Sequence, residues 1–322
     1  MPDSMSALIC LKLSKNTLFK LKSQIKTFAL FGAFAAGFCC PQAAVLSFLI
    51  RYLIALMMFC SLLKIRSSRR PLRREHWLIF AANLLLGMGG WAILYFSGHP
   101  VLAEAAFFTG ITPTATAASA VTSMLGGRQE FVISSFLVTN IGMALLLPWL
   151  IPFVTGSETS GLFLHIAGSL FFVMGIPFIG VLLFRRLVKK QDAVLKIANN
   201  CAFYIWVFAI FLIIANAAKF LYSRQGGGCE AMVIAVISAV ICGSGFFIGS
   251  RIGGKRRSLE CGQSLGQKNT TLTIYLAMTY GVPAAALGPA FYVIWHNTWN
   301  AVQLWKRTRH LNKIASRRAK NA

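Results

Sequence analysis

Long apolar runs separated by short basic segments dominate this chain, and they limit the folds that it can adopt. Hydrophobic residues make up 57% of the 322 residues, and charged residues only 12%. A run of about 20 apolar residues is long enough for a helix that crosses a membrane. Inside a bilayer, helices satisfy their own backbone hydrogen bonds. The sequence therefore predicts an all-α polytopic membrane protein.

The positions of the basic residues predict which side of the membrane each connection faces. In chain order, the segments that flank and connect the apolar runs contain 5, 0, 6, 0, 1, 0, 5, 2, 4, 0 and 7 Lys or Arg residues. Cytoplasmic segments are enriched in Lys and Arg. The alternation therefore predicts ten transmembrane helices with both termini in the cytoplasm. Topology and attraction to anionic lipid explain the net charge of +24, so we expect no binding of nucleic acid.

This topology divides the chain into three parts. We expect a basic cytoplasmic tail at residues 1–27, a ten-span transporter domain at residues 28–305, and a second basic cytoplasmic tail at residues 306–322. Pro41 separates the first span from the second, because proline interrupts a helix. The predicted location is a cell membrane, either a plasma membrane or a bacterial inner membrane. The sequence does not indicate an oligomeric state.

The stretch at residues 261–277 is too polar for a helix that faces lipid. Polar, glycine-rich backbone at membrane depth is tolerated where it is buried in protein or lines a water-filled cavity. We therefore expect this stretch to be a broken ninth span at the centre of function. Its candidate site residues are Ser264, Gln267, Lys268, Asn269 and Thr270.

A second interruption, at residues 112–116, lies in the middle of the fourth span. Proline removes a backbone donor and disfavours helix at the residue before it. The two broken spans are five apart, which predicts two inverted five-helix repeats, at residues 28–154 and 161–305. Matched interruptions in inverted repeats indicate a transporter's binding site near the membrane midplane. The candidate site residues in and after this interruption are Thr112, Pro113, Thr114, Thr116 and Ser119.

Four motifs resemble those of the bile acid:sodium symporter superfamily. Residues 288–297, GPAFYVIWHN, are similar to its P-A-x-Y-x-x-W-H-N motif, and residues 56–64 are similar to its second span. Residues 113–119, PTATAAS, are similar in outline to its Pro-Gly-Gly-Thr-Ala-Ser-Asn crossover. Residues 264–269, SLGQKN, are similar to its Glu-x-Gly-x-Gln-Asn crossover. The resemblance covers roughly residues 28–305.

The resemblance implies that spans 1, 2, 6 and 7 form a panel that faces a core of spans 3–5 and 8–10. The broken fourth and ninth helices would cross in that core. Family members carry organic anions, commonly with sodium bound behind the crossover. We therefore expect a secondary transporter of a small organic anion that works by alternating access. We expect no enzymatic activity, no cofactor and no bound metal. His296 and Asn297 enter the candidate site because they belong to the family motif.

The chain departs from the family pattern at the positions expected to hold sodium. These positions correspond here to Ala118, Ser119, Val132, Phe136, Ser264 and Lys268. Hard cations need several oxygen ligands, and the family's only carboxylate at the site is replaced by Ser264. We hypothesise that the Lys268 ammonium occupies the place of a sodium ion and donates to unwound carbonyls of the fourth span. Transport would then be independent of sodium, or coupled to protons through Lys268.

Several alternatives stay open at the level of sequence. Sodium-coupled symport with an altered ion site and a non-transporting membrane sensor are alternative functions. A membrane-embedded hydrolase is a weaker one, based on Ser244 in a CGSG motif together with His296. Lys268 is a structural cation, a proton carrier or, if the register of the ninth span is shifted by a turn, a solvated lysine. The threonines of the interruptions either satisfy freed backbone groups or contact substrate.

We also make a prediction for each of two charged residues outside the interruptions. Arg51, within the second span, either extends to the lipid headgroups or lines the cavity and pairs with an anionic substrate. Glu260 lies close in sequence to Arg256 and Arg257, and we expect an ion pair with one of them on the cytoplasmic side.

Overall fold

The computed structural model describes residues 29, 32–63, 72–157, 161–188, 192–222 and 227–320. The predicted amino-terminal tail, at residues 1–27, lies outside the described residues. Within them the backbone is almost entirely helical, and the only pairing of extended backbone is one isolated bridge. Six helical segments are long and apolar enough to cross a membrane. The prediction of an all-α membrane protein is therefore confirmed, whereas the ten-span topology and the inverted repeats stay predictions.

Twelve α-helices are labelled here in chain order within the described residues. They are α1 (32–39), α2 (Ile50–Leu63), α3 (Arg74–Phe96), α4 (Pro100–Gly110), α5 (Ala117–Met124), α6 (Gln129–Thr155), α7 (Leu162–Leu170), α8 (Ile176–Leu187), α9 (Asp192–Tyr222), α10 (Gly227–Gly266), α11 (Thr270–Tyr280) and α12 (Leu287–Lys320). Two 3₁₀ segments, Pro41–Leu49 and Pro283–Ala286, precede α2 and α12, and a π-helical turn, Phe171–Gly175, joins α7 to α8. The predicted basic segment after residue 305 continues α12 as far as Lys320.

Helix α10 is a tight helical hairpin. The chain reverses at Gly254, which has φ +53°, a conformation that glycine adopts at little cost. Glycines spaced four residues apart on the first arm allow the second arm to approach closely. A Cβ atom added at Gly249 would lie 2.5 Å from the carbonyl oxygen of Cys261, and one added at Gly245 would lie 3.3 Å from that of Leu265. This glycine face therefore packs against the chain segment that leads into the polar stretch.

The connections rich in basic residues contact one another at one end of the helices. Arg257, at the turn of the α10 hairpin, forms an ion pair with Glu75 at the start of α3. The carboxylate of Glu260 accepts a hydrogen bond from the backbone N–H of Arg128, with a distance of 3.0 Å. The predicted pairing of Glu260 with Arg256 or Arg257 is wrong, because the fold places Glu75 against Arg257 and the loop before α6 against Glu260.

Candidate functional site

Both interruptions predicted from the sequence are present, and the fold places them against each other. The first break, residues 111–116, separates α4 from α5, and the second break, residues 267–269, separates α10 from α11. An antiparallel bridge joins Thr114 to Lys268. Its two hydrogen bonds run from the N–H of Ala115 to the carbonyl of Gln267, at 2.9 Å, and from the N–H of Asn269 to the carbonyl of Pro113, at 2.7 Å. Backbone groups freed by each break are thus satisfied by the other.

Lys268 lies at the centre of this contact, and only 2% of its surface is exposed. Its Nζ donates hydrogen bonds to the carbonyls of Gly110 and Thr112, at 2.8 and 3.1 Å. These are contacts with unwound carbonyls of the first break, as predicted from the sequence. The carboxyl end of a helix carries partial negative charge on its unpaired carbonyls. The ammonium therefore stabilises the end of α4 in the protein interior.

The third acceptor of the ammonium is Asn83 Oδ1 on α3, at 2.5 Å, a residue absent from the predicted site. Asn83 is fully buried, and its Nδ2 has no hydrogen-bond partner among the described residues. One signal in the sequence could have identified it. A lone amide in the middle of the apolar run at residues 77–97 is costly in a membrane and indicates a polar partner.

Buried threonines donate hydrogen bonds to further backbone carbonyls around the two breaks. Thr112 Oγ1 donates to the Phe108 carbonyl, at 2.6 Å, and shares a hydrogen bond with Thr273 Oγ1, at 2.7 Å. Thr114 Oγ1 donates to the Ser264 carbonyl, at 2.6 Å. These contacts agree with the interpretation that the threonines satisfy backbone groups near the breaks.

Helix α6 supports the first break through two polar side chains. Thr139 Oγ1 accepts the N–H of Thr114, and Asn140 Nδ2 donates to the carbonyls of Thr114 and Phe136, both at 2.9 Å. Because both partners of the amide are carbonyls, its nitrogen must face them and its Oδ1 must point away. Neither Thr139 nor Asn140 was predicted as a site residue. They lie seven and four residues after Val132 and Phe136.

Four buried side-chain oxygens near the breaks lack a hydrogen-bond partner within the described part of the chain. They are Asn140 Oδ1, Gln263 Oε1, Ser264 Oγ and Gln267 Oε1. A buried polar atom without a partner costs about 1–3 kcal/mol. Such atoms are therefore candidates for contact with a ligand, an ion or ordered water. The described residues contain no group of three or more His, Cys, Asp or Glu side chains that could hold a metal ion.

The other predicted residues of the breaks lie around this centre. Asn269 Nδ2 contacts Met58 Sδ on α2, at 3.5 Å. This contact connects the second break to α2. Thr270 is buried, and its carbonyl accepts a hydrogen bond from Thr273 Oγ1. Thr116 and Ser119 lie at the start of α5, half-buried, and the hydroxyl of Ser119 donates to the Thr116 carbonyl.

Three predicted residues form no hydrogen bond with either break in the described part of the chain. Arg51 is exposed on α2, and its guanidinium donates to the hydroxyl of Tyr52 and lies over its ring. Asn297 is exposed on α12 and donates to the Val293 carbonyl. His296 is buried with its ring edge-on to Tyr292, whose hydroxyl donates to the Gly266 carbonyl at 2.8 Å. Within the 288–297 motif, Tyr292 therefore contacts the end of α10, directly before the second break.

Comparisons with known proteins do not identify this chain. No protein-family model matches it, and no curated protein sequence matches it.

Proposed function

We propose that this protein is a secondary transporter that moves a small organic anion across a membrane by alternating access. The observation that carries the proposal is the buried ammonium of Lys268, which joins two broken helices through acceptors on the first break and on α3. Crossed, interrupted helices near the membrane midplane are typical of transporter binding sites. An ionisable residue at membrane depth is expensive and indicates function.

The proposed architecture has ten spans in two inverted repeats, as in the bile acid:sodium symporter superfamily. Two sets of contacts support it. The connections rich in Lys and Arg meet at one end of the helices, where Glu75 pairs with Arg257. Connections free of Lys and Arg meet elsewhere, where the Glu104 carboxylate accepts the N–H of Val282 at 2.8 Å. Each set joins connections that the distribution of basic residues assigns to a single side of the membrane.

In this proposal the lysine takes the place of a coupling ion. An ammonium with three donors meets three acceptors, as a bound cation would meet its oxygen ligands. Because the charge is covalently attached, the crossover does not need sodium for its assembly. It also contributes positive charge at the contact between the two breaks. Transport is then sodium-independent, or coupled to protons that Lys268 gains and loses.

Sodium-coupled symport is the second candidate, and one observation favours it. Asn140 Oδ1, Ser264 Oγ and Gln267 Oε1 are buried oxygens without partners among the described residues. Oxygen atoms of this kind are ligands that hard cations accept. In this alternative, sodium would use these oxygens as ligands while Lys268 keeps its contact with Asn83 on α3.

Uptake by proteoliposomes distinguishes the two candidates. A thermal-shift screen of the purified protein against organic carboxylates and sulfonates, with sodium and pH varied, first selects a substrate. Uptake of that substrate is then measured with an inward sodium gradient and with potassium in its place. We expect equal uptake in the two salts, and a loss of about tenfold or more in Lys268→Met. The matched control is Lys255→Met, because Lys255 is exposed at the turn of the α10 hairpin.

The outcomes separate the candidates clearly. Stimulation by the sodium gradient would overturn the sodium-independent mechanism and favour the second candidate. Uptake that Lys268→Met leaves unchanged would remove Lys268 from the transport mechanism. A purified, folded protein that takes up none of the anions selected by the screen would favour the sensor.

A further inference from the structure

A cavity of about 360 Å³ opens where α3 ends, α4 begins and α6 ends. It is lined by Trp91, Tyr95 and Phe153, by Glu104, and by the residues at the end of α6. A volume of this size lies within the range of pockets that hold small molecules. The cavity is separate from the contacts of Lys268, which involve the other end of α4.

The carboxylate in this cavity has no compensating cation. Glu104 is half-buried, and its Oε2 accepts the N–H of Val282 at 2.8 Å. Among the described residues, no Lys, Arg or His forms an ion pair with it. This is notable in a chain with 32 basic and 8 acidic residues. A partly buried carboxylate is stabilised by a neighbouring positive charge, and the described residues do not supply one.

The aromatic rings form one contiguous surface beside this carboxylate. The ring centroids of Trp91 and Tyr95 are 4.9 Å apart, and those of Trp91 and Phe153 are 5.2 Å apart. Trp91 is only 8% exposed, and its indole N–H has no hydrogen-bond partner in the described part of the chain. Buried indole N–H groups usually have a partner. Within the described ranges, the cavity therefore offers neither a cation for Glu104 nor an acceptor for Trp91.

We propose that this cavity binds the ammonium group of an organic cation that also carries an oxygen acceptor. Aromatic faces attract ammonium and quaternary ammonium ions, and a carboxylate adds a direct charge interaction. A bare metal cation is a poor fit, because one carboxylate supplies too few of the oxygen ligands that hard cations require. The oxygen acceptor of the ligand would pair with the Trp91 indole.

Two sources can supply this chemistry. The cavity lies at helix ends among aromatic side chains, a position typical of the boundary between lipid and water. The ammonium group is therefore carried either by a free solute, such as choline or ethanolamine, or by a phospholipid headgroup that contains the same group. The proposed interaction is identical in both cases, and it does not depend on the transport function.

The first experiment measures binding of choline to the purified full-length protein by isothermal titration calorimetry. The neutral isostere 3,3-dimethylbutanol controls for shape without charge. Glu104→Gln removes the charge but keeps an acceptor for the Val282 N–H, and Trp91→Phe removes only the indole and its donor. Glu130→Gln is the matched charge control at the start of α6. We expect a loss of about tenfold or more in affinity for Glu104→Gln, and none for Glu130→Gln.

The second experiment tests the lipid source in nanodiscs. Native mass spectrometry measures lipid retained by the protein from bilayers that contain phosphatidylethanolamine or phosphatidylcholine, with phosphatidylglycerol as the lipid without an ammonium group. Retention that requires an ammonium headgroup and is lost in Glu104→Gln supports a lipid source, and choline binding with the same dependence supports a free solute. Equal binding of the neutral isostere, or folded Glu104→Gln protein that binds choline and lipid as the unmodified protein does, would overturn the proposal. Failure to bind either ammonium source would overturn it as well.

Discussion

Replacing Lys268 by methionine tests how far the ammonium holds the two breaks together. Methionine keeps an unbranched side chain but has no charge and no hydrogen-bond donor. The change leaves three buried acceptors without their donor, namely Asn83 Oδ1 and the carbonyls of Gly110 and Thr112. Each buried group left unsatisfied costs about 1–3 kcal/mol, so the three together cost about 3–9 kcal/mol.

The loss is partly offset because the variant no longer buries a charge, which itself costs several kcal/mol. We therefore expect the free energy of unfolding to fall by about 3 kcal/mol. The measurement is equilibrium unfolding in mixed micelles, with sodium dodecyl sulfate as denaturant and circular dichroism as the signal. Lys255→Met, at an exposed position, should change the free energy by less than about 0.5 kcal/mol.

A double-mutant cycle with Asn83→Leu isolates the contact between the two side chains. Because Lys268 and Asn83 share a hydrogen bond, we expect the effects of the two substitutions to be coupled by about 1 kcal/mol or more. Strictly additive effects would contradict the contact. A Lys268→Met variant as stable as the unmodified protein would refute the whole argument, since it would mean that the ammonium contributes nothing to the crossover.

Two further substitutions test the packing around the breaks by the same unfolding assay. Gly110→Ala should lower the free energy of unfolding by about 1–3 kcal/mol, because the added Cβ would lie 2.5 Å from the carbonyl carbon of Leu86. Gly89→Ala should instead raise the free energy of unfolding by about 0.5–1 kcal/mol, because no atom lies within 4 Å of the added Cβ. Equal effects of the two substitutions would contradict the packing. Tyr292→Phe should lower the free energy of unfolding by about 1–3 kcal/mol, because the buried Gly266 carbonyl loses its donor. Unchanged stability would show that this hydrogen bond does not stabilise the fold.

The sequence predicted the helical class and the positions of the two breaks because the responsible signals are local. Apolar runs indicate membrane helices, and Pro113 together with the polar residues after Gly266 indicates interruptions. The contact between Lys268 and the carbonyls of the first break was also anticipated. That inference needed the resemblance to a family with crossed helices, since no local pattern joins residues 156 positions apart.

Other parts of the site depended on how the helices pack. Arg51 was a candidate because it is charged within an apolar run, yet it lies exposed beside Tyr52. Asn83 and Asn140 were not predicted, although both are buried amides that contact the crossover. Hydropathy identifies a polar residue within a span, but it does not show which face of the helix carries that residue toward the interior.

The sequence by itself determined that the chain is a helical membrane protein with two polar interruptions in otherwise apolar segments. Hydrophobicity and backbone chemistry act over a few residues, so their effects can be predicted from the amino-acid sequence alone. Only the tertiary structure decided that Lys268 shares its donors between Gly110, Thr112 and Asn83, the last of which is 185 residues away. Such a partnership depends on the distances between packed helices, which no single segment encodes. A lysine that is costly in isolation is thereby paired with acceptors that the broken helix would otherwise leave unsatisfied.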